Sequence, residues 1–306
     1  MIGGFMVQHL KAHMKAIRRA AALVFLPILL VSCSQRDDQL EQTEASPALW
    51  VVENAKGETE GWLFGTIHAL PDDVQWQTPA LRAALEQSVA LALEISAEDQ
   101  AKLPEIFGTL AATPGLPPLH ERVDPARRAA LQELLDEANY RSSDFTATET
   151  WAAALTLASA SSSGDYANGV DRALTGQVSR HLILEGAKNQ LSIFDRLPEK
   201  DQRDLLQAII DDHAAGASDG ELDLVTAWLA GDMEGIARET NRGMLADPEL
   251  RAALLVNRNR DWADKVDGWM QREGPITIAA GAAHMAGPDG LPMLLKDKGY
   301  AVRRVQ

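Results

Sequence analysis

The sequence predicts an α/β domain in which a mixed central sheet is formed by N- and C-terminal segments, with a large helical insertion between them. Two β-rich runs flank a polar turn between Leu49 and Ile67, a short apolar strand-like run follows at 89–95, the stretch from about 97 to 272 is punctuated by helix starts, and strand-like runs return from Pro275. Strands at both ends of the sequence must then share one sheet.

The chain opens with Lys11, Lys15, Arg18 and Arg19 and no acidic residue, followed by twelve mainly apolar residues from Ala20 to Val31. A spanning helix needs about 20 such residues, whereas a run this short fits the apolar core of a secretory signal. Leu30-Val31-Ser32-Cys33 follows and resembles the bacterial lipobox. Residues 1–32 are therefore read as a lipoprotein signal peptide, with Met6 and Met14 as alternative starts, and Cys33 as the lipidated first residue of the mature chain. Cys33 is the only cysteine, and a lone thiol in an oxidising compartment has no internal disulfide partner; lipidation accounts for it. Ser34 stands where a retention aspartate would stand, and by resemblance to Gram-negative lipoproteins this implies the outer membrane, facing the periplasm.

Removing residues 1–32 leaves 274 residues and takes the formal net charge from −15 to −19. So acidic a surface argues against nucleic-acid and anionic-lipid partners and is compatible with cation binding. Residues 33–47 are polar and read as a tether; the domain is placed at 48–306.

Within it, Leu49-Trp50-Val51-Val52 and Trp62-Leu63-Phe64-Gly65-Thr66-Ile67 around Asn54-Ala55-Lys56-Gly57 predict a hairpin. After Pro79, the spacing of Leu81, Leu85 and Val89 predicts a helix feeding a buried strand at 89–95. Asp124-Pro125, Pro198 and Asp247-Pro248 each open a helix, and Gly274 stops the last of them. The run Ser161-Ser162-Ser163-Gly164-Asp165 reads as a loop. Pro275–Ala280 is predicted as a buried strand, followed by a glycine turn, a helix near 290–298 and a last strand at 300–305.

Two segments share one form: Gly65-Thr66-Ile67-His68 and Gly281-Ala282-Ala283-His284 each place a histidine three positions after a glycine at the end of an apolar strand. Ligand groups in α/β folds gather at the carboxyl ends of strands. Glu94 interrupts an otherwise apolar run, and a buried glutamate costs several kcal/mol unless it is paired or metal-bound. Two imidazoles and a carboxylate suit zinc, manganese or iron with positions left for water and substrate. Either histidine alone is more often a turn or packing residue than a ligand; the joint pattern carries the reading. His9, His13, His120, His181 and His213 lack matching partners in helical or loop context. Trp50, Trp62 and Trp76 surround the first of these segments, as core or as a groove lining.

The segments LWVVENAKGETEGWLFGTIHALPDD, ALALEIS, GVDRAL, LVNRNRDWADKV and ITIAAGAAHMAGPDGLPMLLKDKGYAV resemble, in order and spacing across nearly the whole mature chain, the TraB/PrgY/GumN family, which is related to the Tiki metalloproteases. The resemblance implies an α/β core with a helical insertion, with His68, Glu94 and His284 as the metal or catalytic set. It also implies that Arg258 and Asn259 are the Arg-Asn pair preceding the last strands. Ala283 stands where many relatives carry glycine. Glu185 and Gln190 fall where relatives often show a Glu and a Gln, although Gly186 replaces the usual threonine. Charge alternation into Arg260 and Asp261 leaves a solvated helix face open as another use of Arg258 and Asn259.

The function expected on these grounds is metal-dependent hydrolysis of an amide or ester, peptide-like in character, by an envelope-anchored enzyme using manganese, cobalt or zinc. The implied substrate is a peptide or a small ester or amide. Two alternatives stay open: a metal-independent esterase-like hydrolase using His and Glu, and a non-catalytic lipoprotein binding a metal, haem or peptide. The sequence contains no Gly-x-Ser-x-Gly elbow, Walker loop, His-Glu-x-x-His helix or Gly-x-Gly-x-x-Gly fingerprint.

Overall fold

The structure, a computed structural model, describes residues 45–71, 74–161, 168–216 and 218–306. The expected signal segment, Cys33, the tether up to 44 and residues 162–165 of the expected loop lie outside the described residues.

The predicted hairpin is present as β1 (Leu49–Glu53) and β2 (Thr59–Thr66), paired antiparallel. Its turn is closed by Asn54, whose side-chain oxygen accepts the N–H groups of Lys56 and Glu58. Helix α1 (Pro79–Gln87) is capped by Thr78 and leads to β3 (Ala90–Leu93). Both are shorter than the 89–95 strand and the 81–89 helical spacing imply. Ser88 turns extended, so Val89 leaves the helix face, is largely exposed, and donates its N–H to Pro275 O. Glu94 stands one residue beyond the strand.

There follow α2 (Ala97–Leu110), α3 (Arg128–Glu137), α4 (Thr150–Ser161) and α5 (Val170–Leu174), then β4 (His181–Ile183). The sequence reading leaves β4 out and places His181 in a helix or loop; the residue is in a strand. The rest of the chain comprises α6 (Ala187–Asp195), α7 (Glu199–Ala214), α8 (Ser218–Leu229), α9 (Met233–Thr240), α10 (Pro248–Arg251), α11 (Asn257–Glu273), β5 (Ile276–Gly281), α12 (Leu291–Asp297) and β6 (Ala301–Arg304). A π-helical turn, Ala252–Val256, joins α10 to α11.

The chain forms two compact units, one from Leu103–Ser162 with Phe194–Ala215, the other from Thr43–Lys102, Ser163–Ile193 and Gly216–Gln306. The second holds one six-stranded sheet in the order β4-β3-β5-β2-β1-β6. β4, β3, β5 and β2 run parallel, while β1 and β6 add antiparallel neighbours at one side. It is the mixed α/β sheet expected from the two ends of the chain.

β1, β2, β3 and β5 are largely buried on both faces, which explains their near-continuous apolar runs, whereas β4 is half-buried and β6 buries only Val302. Leu49, Val51, Trp62, Phe64, Leu91 and Leu93 pack on one face with Leu81, Leu85, Trp76 and Trp228. Trp50, Val52, Leu63, Ala92, Ile276 and Ile278 face the other way onto Trp262, Val266, Leu291 and Leu295. Trp50, Trp62 and Trp76 are thus core residues and line no groove. At the end of the expected tether, Ser46 already bonds Leu229 O through its N–H.

The helical unit buries Leu131, Leu134, Leu135, Leu205, Leu206, Ile209 and Ile210, the residues that carry the predicted periodicity of α3 and α7. Trp151 packs edge-on to Phe107 and stacks on Phe194. Arg122, 1% exposed, donates to the carbonyls of Pro117, Thr148 and Phe145 at 2.9, 2.7 and 2.5 Å.

Candidate active site

The parallel registers Thr66↔Gly281, Leu93↔Ala279 and Leu93↔Ile183 bring four strand ends to one edge of the sheet. The chain leaving β2 carries His68, that leaving β3 carries Glu94, that leaving β4 carries Glu185, and that leaving β5 carries His284. Gly65 permits the close approach this needs, since a Cβ there would stand 3.0 Å from Ala282 Cα and 3.2 Å from its Cβ. Trp228 fixes the same point by donating its indole N–H to Gly65 O at 2.8 Å.

His68 is open to solvent, with 61% of its side chain exposed, and its Nδ1 lies 2.9 Å from Asp171 Oδ2. Asp171 sits in the first turn of α5, and its other oxygen accepts the Thr66 hydroxyl at 2.6 Å. The start of α5 is tied to the β2 exit by Val170 N–H on Ile67 O. The hydrogen bond that His68 donates to Asp171, aided by the carboxylate's charge, raises the His68 pKa to about 9. His68 Nε2 is left facing the strand edge.

His284 is buried, and its Nδ1 lies 2.5 Å from Asn259 Oδ1. Asn259, fully buried on α11, gives its NH2 group to Asp289 O at 2.7 Å. That bond fixes the amide so that its oxygen meets the imidazole and Nδ1 carries the proton. The Nε2 lone pair is therefore free to accept, and Arg258 Nη1 lies 3.3 Å away. Burial lowers the His284 pKa to about 3, so the ring is neutral.

Glu94 is 7% exposed at its side chain. One oxygen accepts Gly281 N–H at 2.8 Å, and the other accepts Arg258 Nη2 at 3.0 Å and Gln190 Nε2 at 3.2 Å. Burial acts to raise its pKa, but its interactions with His284, Arg258 and His68 and the Gly281 N–H outweigh this and hold it below the ordinary carboxylate value. Glu185 Oε2 takes the same guanidinium through Nε at 3.1 Å and Nη2 at 2.8 Å. Its pKa is raised by burial, against the pull of Arg258. Arg258 also lies 4.6 Å from the centre of the Trp262 ring, and that ring is 4.4 Å from the His284 ring.

All five predicted site residues, His68, Glu94, Arg258, Asn259 and His284, are thus brought together, along with Glu185 and Gln190. Arg258 is no solvated helix residue: only 11% of its side chain is exposed. A Cβ placed on Gly281 would stand 3.4 Å from Glu94 Oε1, 3.6 Å from His284 Cδ2 and 4.0 Å from His68 Nε2, so the three surround one small space. Asp171, Thr66 and Trp262 are the residues sequence reasoning missed. Asp171 lies in GVDRAL, one of the segments that carry the family resemblance, but that segment has no ligand-like local pattern.

Each histidine has its Nδ1 held by an oxygen and presents Nε2, the arrangement by which an outer oxygen orients a metal-ligating imidazole. With the Glu94 carboxylate this donor set fits a divalent transition metal in its chemistry. As the side chains stand, however, no group of three or more His, Cys, Asp or Glu among the described residues is gathered to hold a metal ion, and Arg258 is bonded to two of the donors.

The model of the TraB/PrgY/gumN family matches residues 48–304. No curated protein and no solved structure matches the chain.

Proposed function

The chain belongs to the TraB/PrgY/gumN family, and on that premise we propose that it is a hydrolase of amide or ester bonds working at this strand edge with a divalent transition metal. The observation that carries the reading is the pair of oriented imidazoles, His68 on Asp171 and His284 on Asn259, converging with Glu94 about Gly281. His68, Glu94 and His284 would hold manganese, cobalt or zinc. Such an ion, when bound, supplies Lewis acidity and brings the pKa of water from 15.7 towards 7.

The protein's own groups have separate tasks. Asp171 and Asn259 keep each Nε2 turned to the cleft. Arg258, already aimed there, donates to the substrate oxygen as negative charge develops on it. Substrates are peptides or small esters and amides, presented beside an outer membrane to which Cys33 tethers the chain on its periplasmic side. Cys33→Ala is expected to remove lipid labelling and to shift the chain from the membrane fraction to the soluble fraction; unchanged labelling would end the anchoring proposal.

The test of the catalytic reading is metal content by plasma mass spectrometry, measured with turnover on the full chain and on a His68→Ala, His284→Ala double variant. Near-stoichiometric metal and turnover in the wild type should disappear together in the variant. Turnover that persists in the variant, or no metal in the wild type after reconstitution with zinc, manganese and cobalt, would overturn it.

One observation favours a metal-free second reading: the Asp171–His68 pair has the form of a carboxylate-supported general base beside a glutamate. With its pKa raised to about 9, the His68 imidazole acts as a base only after losing its proton. Turnover by this route would survive chelators and rise with pH through about 9.

A further inference from the structure

Arg258 makes two kinds of contact. On one side it donates to atoms of the proposed ligand set: Nη2 to Glu94 Oε2 at 3.0 Å and Nη1 to His284 Nε2 at 3.3 Å. On the other it donates to atoms outside that set: Nε and Nη2 to Glu185 Oε2 at 3.1 and 2.8 Å, and Nη1 to Leu254 O at 3.0 Å, with Trp262 beneath the guanidinium. Leu254 lies in the π-helical turn just before α11, a local departure of the kind found at functional sites.

Neutral His284 has a single lone pair at Nε2, which a guanidinium N–H and a metal ion cannot use at once. Charge leads to the same conclusion. Glu94 and Glu185, 7% and 11% exposed, share one guanidinium as their hydrogen-bonded cation, with His68 and Lys265 acting on them only through space. A divalent ion on Glu94 would leave Arg258 to Glu185, giving each carboxylate its own cation. The second set of contacts does not have to break for this to occur.

We propose, resting on the metal reading above, that Arg258 and the metal ion are mutually exclusive on His284 Nε2 and compete for the charge of Glu94. Glu185 is the seat that keeps the guanidinium beside the site when the metal ion takes the imidazole nitrogen. Arg258 is then a built-in competitor that sets metal affinity, and Glu185 is a positioning residue that acts through it.

The experiment measures Zn2+ affinity of the full chain by competition with a chromophoric chelator, for wild type, Arg258→Met, Glu185→Gln and the double variant. Arg258→Met should bind Zn2+ at least about tenfold more tightly, the equivalent of one lost charge-assisted hydrogen bond. Glu185→Gln should weaken binding several-fold while Arg258 is present and have little effect in the Arg258→Met background. Unchanged or weaker binding in folded Arg258→Met overturns the proposal while leaving the metal site standing. If Arg258→Met does not fold, Glu185→Gln decides, and unchanged or tighter binding there is the overturning result. Zn2+ bound by neither wild type nor Arg258→Met refutes this proposal together with the metal reading; binding by Arg258→Met alone supports strong competition.

Discussion

Glu94→Gln is expected to leave the chain folded and to lower hydrolysis by about 10²–10³-fold, the scale seen when a single charged or donor group is removed from a preorganised site. Glutamine can keep an oxygen on Gly281 N–H, since that bond needs only an acceptor. Its amide nitrogen then faces Arg258 Nη2 and Gln190 Nε2, two donors that the carboxylate satisfied. The swap removes a charge from the centre of the cleft and sets donor against donor beside it. Turnover on a model amide or ester, with metal content and circular dichroism in parallel, reads the effect. A folded Glu94→Gln chain with wild-type turnover would remove Glu94 from the machinery and with it the reason for the cleft's charge arrangement.

The largest effect on stability is expected in the helical unit, from Arg122→Met. The guanidinium there has no paired carboxylate as its main partner; it ties three carbonyls, of Pro117, Thr148 and Phe145, into one knot. Methionine fills much of the volume and satisfies none of them; Phe145 O keeps the N–H of Thr148, while buried carbonyls that lose their donor, as those of Pro117 and Thr148 would, cost roughly 1–3 kcal/mol each before relaxation. A net loss on the order of 3–5 kcal/mol is expected, within the range that buried polar defects reach. Urea unfolding followed by tryptophan fluorescence measures it, with Trp151 as a reporter inside the unit. A loss below about 1 kcal/mol would mean that the three segments find donors elsewhere.

The parts of this molecule that were legible in the sequence are those whose signal is local. A hairpin announces itself by apolar runs around an Asn-containing turn, and β5 by a run of small and branched residues. The two Gly-x-x-His segments are visible because glycine and histidine lie on the same strand exit. β4 escaped because it is three residues long and its residues are only half-buried, so no apolar run marks it. It exists by pairing Leu91–Leu93 with His181–Ile183 across about 90 positions of chain. Asp171 escaped for a similar reason: its partners, Thr66 and His68, are 105 and 103 positions away, and nothing near it in sequence distinguishes it from any first-turn aspartate. The helix ends were foreseen by cap chemistry, as at Asp124 and Asp247, whose side chains accept the N–H groups that open each helix. The early end of α1 at Ser88 was hidden, because Val89 keeps the helical spacing after the backbone has abandoned it.

The position of β5 has a bearing on how the chain comes into being. It lies between β3 and β2, pairing with both, yet it is contributed by Ile276–Gly281, close to the end of the polypeptide. Until those residues have been made, β2 and β3 have no common neighbour and the sheet has a gap at its middle. A growing chain can form its hairpin and its local helices, but it cannot close the sheet. Assembly therefore waits on long-range pairing, the slow and aggregation-exposed step of folding, and a polypeptide stopped short of residue 276 would leave β1, β2 and β3 each with an edge stripped of its partner strand, and no cleft.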